Sequence, residues 1–170
     1  FIPAKLDNTV CQQKIMEQEK KINIATSTRQ VESIVVKIPI GKIWESIRSM
    51  KFEELFPSTV VKTEYIKGNP GVLGSMVEVT FKDGSKFTHC LTELSDLHHR
   101  IIFELIDSNS KCSVSSVVNI IKLTTVTDDG STFIRWETDF SNDATVGHIE
   151  DNKFKKMDYF KDLKKVCHCQ

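Results

Sequence analysis

The last part of the chain, residues 144–167, most constrains the fold because it predicts one long amphipathic helix. No proline occurs there, and no glycine follows Gly147. Lysines are concentrated in the last turn, where the helix dipole favours cations. Apolar residues recur every three or five positions at Val146, Ile149, Phe154, Met157, Phe160, Leu163 and Val166. One face of this helix must therefore lie against a large apolar surface, which the rest of the chain has to supply.

The segment 31–140 predicts a sheet that supplies this surface. A β-branched strand over 31–38 stops at Pro39 and is followed by two short helices, 40–48 and 51–56. Turn sequences such as Asp83-Gly84 then separate six further strands. These strands are predicted at 60–66, 72–81, 86–94, 100–107, 114–126 and 132–140. A run of strands before one long helix indicates an α+β fold, with a curved antiparallel sheet of six to seven strands around the helix.

Charge and length restrict the classes of function. The 170 residues carry 23 basic and 23 acidic side chains, so the formal net charge is zero. This balance gives no electrostatic reason to expect nucleic acid or an anionic membrane as a partner. The longest apolar runs are far too short for a transmembrane segment. We expect an N-terminal extension over 1–30, partly helical near 9–21, and one ligand-binding domain over 31–170.

Neither the cysteines nor any known sequence motif indicates a catalytic site. Five cysteines are an odd number, so at least one is unpaired or pairs with another molecule. The chain begins at Phe1 and not at a methionine, which is expected of a processed N-terminus or of a shortened chain. If a signal peptide was removed, a secreted or lumenal location is favoured over the cytoplasm, and Cys11 could pair there with Cys167 or Cys169. Cys167-His168-Cys169 has no second ligand pair to complete a zinc shell. The sequence contains no phosphate-binding or nucleophile motif, so no metal and no cofactor is expected.

The order of these features resembles the START-like (SRPBCC) helix-grip superfamily. The superfamily includes the major birch pollen allergen, the plant abscisic-acid receptors and bacterial polyketide cyclase/dehydrase-type lipid-binding domains. The matching features are strand 31–38, the helix with Trp44, the turn 52–57, the run 74–79, Glu93-Leu94 before His99-Arg100, and 133–137. The resemblance covers about residues 31–166. It implies a hydrophobic cavity between the sheet and the terminal helix.

Three departures separate the chain from the abscisic-acid receptors that it resembles. Glu53-Glu54 stands where those receptors place a lysine for the carboxylate of the hormone. Lys82–Ser85 replaces their Gly-Leu-Pro gate, and residues 110–113 replace their His-Arg-Leu latch. The resemblance therefore does not predict binding of that hormone.

The same comparison provides candidate ligand-binding residues. Glu78 and Glu137 resemble the pocket carboxylates of the receptors, although strand alternation also allows either one to face solvent. His89 shares a strand face with Phe87 and is either an ordinary core histidine or a cavity residue. The complete candidate set is Glu78, Phe81, His89, Phe103, Leu105, Val117, Glu137, Ile149, Met157 and Phe160.

Three functions remain open from the sequence. The first is a non-enzymatic carrier that binds or sequesters a small hydrophobic molecule, such as a lipid, sterol, polyketide or pigment. The second is a cyclase or hydratase that uses the same cavity, with Glu78 as general acid or base. The third is an interaction module whose core is filled. The sequence specifies neither the ligand nor the oligomeric state.

Overall fold

A computed structural model describes residues 27–110 and 114–168, with the last of these described by its backbone alone. The helices are α1 (Ile40–Arg48), α2 (Phe52–Leu55) and α3 (Val146–His168). The strands are β1 (Arg29–Val36), β2 (Val60–Lys67), β3 (Met76–Phe81), β4 (Lys86–Ser95), β5 (Arg100–Ser108), β6 (Val117–Thr125) and β7 (Thr132–Phe140). The predicted α+β order, with two short helices after the first strand, is confirmed.

All seven strands form one antiparallel sheet. Its order is β1-β7-β6-β5-β4-β3-β2, so the first strand pairs with the last and every other neighbour is sequential. β1 is aligned along the full length of β7, from Arg29 opposite Asp139 to Val36 opposite Thr132. The first and last strands are therefore neighbours, and α3 follows β7 across the concave face, where it contacts β1 and α2.

Strand β3 begins later than the sequence predicts. It starts at Met76 because Gly71 and Gly74 adopt φ values of 71° and 77°, a backbone region that favours glycine. Val72 and Leu73, which the prediction placed in the strand, are consequently 50% and 59% exposed in the turn. The predicted strand over 72–81 was therefore too long at its start.

The main core lies between the sheet, α1 and the C-terminal half of α3. The buried face of α1 consists of Ile43, Trp44 and Ile47. Trp44 also donates its indole hydrogen to Asp96 over 2.8 Å, which links α1 to the β4–β5 turn. Phe160 and Leu163 of α3 belong to the same core. This half of the helix therefore forms part of the main core.

Some sequence predictions fall outside the described residues. The helix predicted near 9–21 and the cysteines Cys11 and Cys169 belong to this group, and Cys167 forms no disulfide with another described residue. Among the helices that the structure describes, none has both the length and the apolar composition needed to cross a membrane.

Candidate functional site: a cavity under the terminal helix

A cavity of about 330 Å³ lies between the concave face of the sheet and the N-terminal half of α3. Its lining is mostly apolar and largely aromatic, as in small-molecule sites. The apolar side chains come from α2 and the residue after it, from all the strands except β1, and from the loop before β6: Phe52, Phe56, Val60, Val79, Phe81, Phe87, Phe103, Leu105, Val114, Val117, Trp136 and Phe140. The polar side chains are few, and most of them come from α3.

Stacked aromatic rings form one wall of the cavity. The Tyr159 ring lies 5.6 Å from that of Trp136, at an angle of 18°. It also lies 4.8 Å from the ring of Phe56, so the three residues join α3, β7 and α2. Such contacts contribute about 0.5–1.5 kcal/mol each beyond the area that they bury. Phe56 and Trp136 also belong to the main core, so this wall joins the cavity to that core.

Lys156 is the unusual member of the lining. It lies on the inner face of α3 and is only 1% exposed. Its amine donates a hydrogen bond to Oε1 of Gln30, and a longer one of 3.4 Å to the backbone oxygen of Trp136. The amine is also 5.8 Å from the centroid of the Trp136 ring. Burial disfavours the charged form and lowers the pKa of Lys156 to about 7.

The acids nearest to Lys156 make their close contacts with other groups. Glu137 pairs with Arg29 at 3.0 Å and with Arg135 at 2.9 Å. Asp139 pairs with Arg29 at 2.9 Å. These acids raise the pKa of Lys156 by less than burial lowers it. In the described region no carboxylate lies within 4.0 Å of the lysine amine, so its charge has no direct counterion.

His89 is the second polar group buried in the lining. It is 7% exposed, and its Nδ1 has no hydrogen-bond partner. Its ring lies edge-on to Phe103 at 5.2 Å and to Phe87 at 6.4 Å. Burial among these aromatic rings lowers the pKa of His89 to about 4, so the imidazole is neutral at pH 7.

Asn119 completes the buried polar set. Its Oδ1 accepts hydrogen bonds from Nε1 of Trp136 at 3.1 Å and from Oγ1 of Thr138 at 2.9 Å. These contacts orient the amide, because an oxygen that receives two donors cannot exchange places with the amide nitrogen. The Asn119 nitrogen donates to no acceptor among the described residues. Its two N–H groups are therefore available as hydrogen-bond donors to a ligand.

Charged and polar residues surround the open side of the cavity. Asp151 and Lys155, both exposed, form an ion pair of 2.8 Å one turn apart on α3. Ser110 and His148 lie at the same rim. A smaller cavity of about 210 Å³ lies beyond Phe81, beside the β3–β4 turn. The rim is thus polar, and the interior is apolar apart from Lys156, His89 and Asn119.

The structure brings half of the candidate residues together. Phe81, His89, Phe103, Leu105 and Val117 all line the cavity, from strands β3 to β6. They share the inner face of the sheet because side chains alternate along each strand. His89 is not the hydrogen-bonded core histidine that the sequence allowed, since its Nδ1 has no partner.

The structure places the two candidate carboxylates outside the cavity. Glu78 lies between the buried Val77 and Val79, so strand alternation turns it to the outer face, where it pairs with Lys86 at 2.7 Å. Glu137 follows Trp136 on the outer face of β7 and pairs with Arg29 and Arg135. The expectation of a pocket carboxylate at these two positions is corrected accordingly.

The candidates on α3 are also corrected, because the helix presents a different face from the one predicted. Met157 is 41% exposed and points away from the sheet. Phe160 is buried, but in the main core, and does not line the cavity. Ile149 packs in a small cluster with Val117 and Phe140 next to the cavity, without lining it.

Sequence reasoning missed the polar residues that α3 contributes to the cavity. Lys156 and Tyr159 lie on the same helix face as the buried Leu163, at steps of three and four residues. The prediction considered apolar residues alone, and it therefore assigned Phe154 and Met157 to the buried face of the helix. Both are exposed. A search for residues three and four apart that accepted one lysine on the buried face would have identified the face of α3 that lines the cavity.

Comparisons with known proteins support the fold. No family model and no curated protein matches the sequence. Among solved structures, a protein from Nitrosospira multiformis has a TM-score of 0.71 at 23% identity, over 81% of this chain and 94% of that one. Ara h 8.0201 has a TM-score of 0.68 at 18% identity, over 84% and 98%. The ginseng major latex-like protein 151 from Panax ginseng has a TM-score of 0.66 at 12% identity, over 81% and 95%.

These identities are all below 25%, so the similarity is one of architecture. The long terminal helix, the seven-stranded sheet and the two short helices after the first strand occur in the same arrangement. The chain therefore has the helix-grip fold of these solved structures, as its sequence predicts.

Proposed function

We propose that this protein binds a small hydrophobic molecule in the cavity under α3, and so carries or sequesters it. The observation that carries the proposal is the cavity itself, which has a volume of about 330 Å³ and an aromatic lining. Volumes of this order are typical of small-molecule sites. A lipid, sterol, polyketide or pigment is the class of ligand that such a lining favours.

Burial of apolar surface supplies the driving force. Each Å² of apolar ligand surface removed from water contributes about 25 cal/mol. The aromatic wall of Phe56, Trp136 and Tyr159 is held by contacts within the protein, which lowers the entropy cost of binding against it. The site is therefore suited to an apolar ligand.

The enzymatic alternative has less support. The proposed general acid or base, Glu78, faces outward and pairs with Lys86. The buried imidazole of His89 is neutral at pH 7, with a pKa of about 4, so it is a weak base there. No arrangement of a nucleophile with a positioned base stands out in the cavity lining. We therefore propose a carrier.

The test uses a matched pair of substitutions on β5. Leu105 lines the cavity, whereas its neighbour Ile106 lies on the outer face and is 46% exposed. Leu105→Trp should fill part of the cavity and lower the affinity for the neutral apolar dye Nile red by about tenfold or more. Ile106→Trp should leave the affinity unchanged.

Two results would contradict the proposal. One is a wild-type protein that does not enhance Nile red fluorescence at any concentration up to the dye's solubility. The other is equal dye affinity in both variants, with circular dichroism showing that both are folded. The first result would favour a filled-core interaction module, and the second would place the dye outside the cavity.

A further inference from the structure

We propose that the cavity selects ligands with an acidic head, and that Lys156 receives the carboxylate while the apolar body lies along the aromatic wall. This inference rests on the proposed function and adds the chemical class of the ligand. It is carried by the contacts of the lysine, by the surrounding charges and by the other polar atoms in the cavity.

The first observation is an unused donor on a buried cation. A lysine ammonium has three N–H donors. Two of them are accounted for by the side-chain oxygen of Gln30 and the backbone oxygen of Trp136, which are both neutral acceptors. The third has no acceptor among the residues that the structure describes. The side chain is 1% exposed, so bulk water does not replace that acceptor.

The second observation is the distribution of the acids around Lys156. Glu137 and Asp139 pair with arginines on the outer face of the sheet. On β1, Glu32 accepts a hydrogen bond from Nε2 of Gln30 at 3.0 Å. Burying a charge costs free energy unless an opposite charge pairs with it. Because none of these acids pairs directly with Lys156, a ligand carboxylate could serve as its counterion.

The third observation is that the buried polar groups nearby favour an acceptor. The Asn119 oxygen is saturated by two donors, which leaves the amide hydrogens as the groups that Asn119 can offer. Lys156 likewise offers only donors. A carboxylate has two acceptor oxygens and no donor when ionised, so it complements both residues. A ligand alcohol or hydrocarbon end would satisfy them less well.

We expect the fold to tolerate an apolar residue in place of this lysine. Buried ionic groups can often be replaced by hydrophobic residues without loss of stability. Lys153, one turn earlier on the same helix, is exposed and does not line the cavity. Position 156 therefore has a charge where an apolar residue would pack at least as well, as expected if the charge serves binding.

The inference implies that acid binding depends on pH. Among the described residues, the titratable groups that face the cavity are Lys156, His89 and Tyr159, with His148, Asp151 and Lys155 at the rim and Glu32, Glu137 and Asp139 behind the lysine. His89 has a pKa of about 4, and burial raises the pKa of Tyr159, so neither changes charge between pH 7 and pH 9.

Lys156 loses its proton in that range. With a pKa of about 7 in the empty protein, its protonated fraction falls from about one half at pH 7 to about one hundredth at pH 9. The affinity for an acid should therefore fall by up to about 50-fold over this interval. The affinity for an uncharged analogue should not change.

The experiment compares decanoic acid with decanol as competitors of Nile red. At pH 7 the wild type should bind the acid more tightly than the alcohol, and Lys156→Met should lower the affinity for the acid by about 10-fold to 100-fold. Lys153→Met is the matched control and should retain the preference. His148→Gln should retain the pH dependence, which assigns the titration to Lys156.

Each outcome decides a specific point. Equal affinity for acid and alcohol, or an acid preference that survives Lys156→Met, overturns the inference and leaves the proposed function intact. Failure of decanol, decanoic acid and Nile red to bind overturns the proposed function, and the inference with it. If Lys156→Met does not fold, the wild-type pH profile decides, and an acid affinity that is constant from pH 7 to pH 9 overturns the inference.

Discussion

The buried imidazole of His89 should make the stability of this protein depend on pH below neutrality. His89 is almost completely buried, and its pKa falls from 6.5 to about 4 in the folded state. The unfolded chain therefore binds a proton at this residue between pH 6.5 and pH 4, while the folded chain does not. Acidification through this range favours the unfolded state, so the free energy of unfolding must decrease.

The size of the effect follows from the two pKa values. Between pH 7.5 and pH 5 the linkage contributes a loss of about 2 kcal/mol, and below pH 4 the loss levels off at about 3 kcal/mol. His89→Phe removes this contribution, because phenylalanine does not titrate. It also removes an Nδ1 that has no partner, so the variant should be no less stable than the wild type at pH 7.5.

The assay is urea denaturation at pH 7.5, 6 and 5, monitored by tryptophan fluorescence. The wild type should lose about 2 kcal/mol more than His89→Phe between the first and the last pH. His98→Phe is the control, because His98 lies exposed in the β4–β5 turn. Equal losses in the wild type and in His89→Phe would show that the imidazole is not held neutral by burial, and would refute the reasoning.

Three further predictions concern α3 and the cavity. Asp162, which is 3% exposed, accepts hydrogen bonds from the amide and the hydroxyl of Ser58, so Asp162→Ala should lower the free energy of unfolding by about 1–3 kcal/mol. The exposed Asp158 pairs only with Lys161 among the described residues, so Asp158→Ala should change it by less than about 0.5 kcal/mol in the same denaturation assay. Lys156→Met should stabilise the empty protein at pH 7 by about 1–4 kcal/mol in thermal denaturation, and a clear loss would contradict an uncompensated charge there. Decanoic acid should stabilise the wild type more than it stabilises Lys156→Met, and equal stabilisation would contradict the acidic-head inference.

The sequence predicts the fold well because its signals are local. Pro39 ends the first strand, and Asp83-Gly84 forms the turn between β3 and β4. The predicted helix and strand bounds agree with the structure within about three residues, except at the start of β3. There the positive φ values of Gly71 and Gly74 outweigh the apolar residues between them.

The candidate site is harder to predict because it depends on which face a residue occupies. The five candidates that line the cavity are apolar or aromatic residues and one histidine on strands, where alternation is a strong guide. Glu78 and Glu137 were chosen by resemblance, although the buried Val77 and Val79 already place Glu78 on the outer face. Lys156 was missed because composition treats a lysine as a surface residue, and only the packed helix shows that it is buried.

The most direct test of the central claim is native mass spectrometry of the protein isolated from its natural source, followed by organic extraction. The account predicts one bound apolar molecule per chain, held in the 330 Å³ cavity and recovered by extraction as a compound with an acidic head. A protein that is isolated empty, and that then fails to bind Nile red or decanol, would contradict the claim that this cavity is a ligand site.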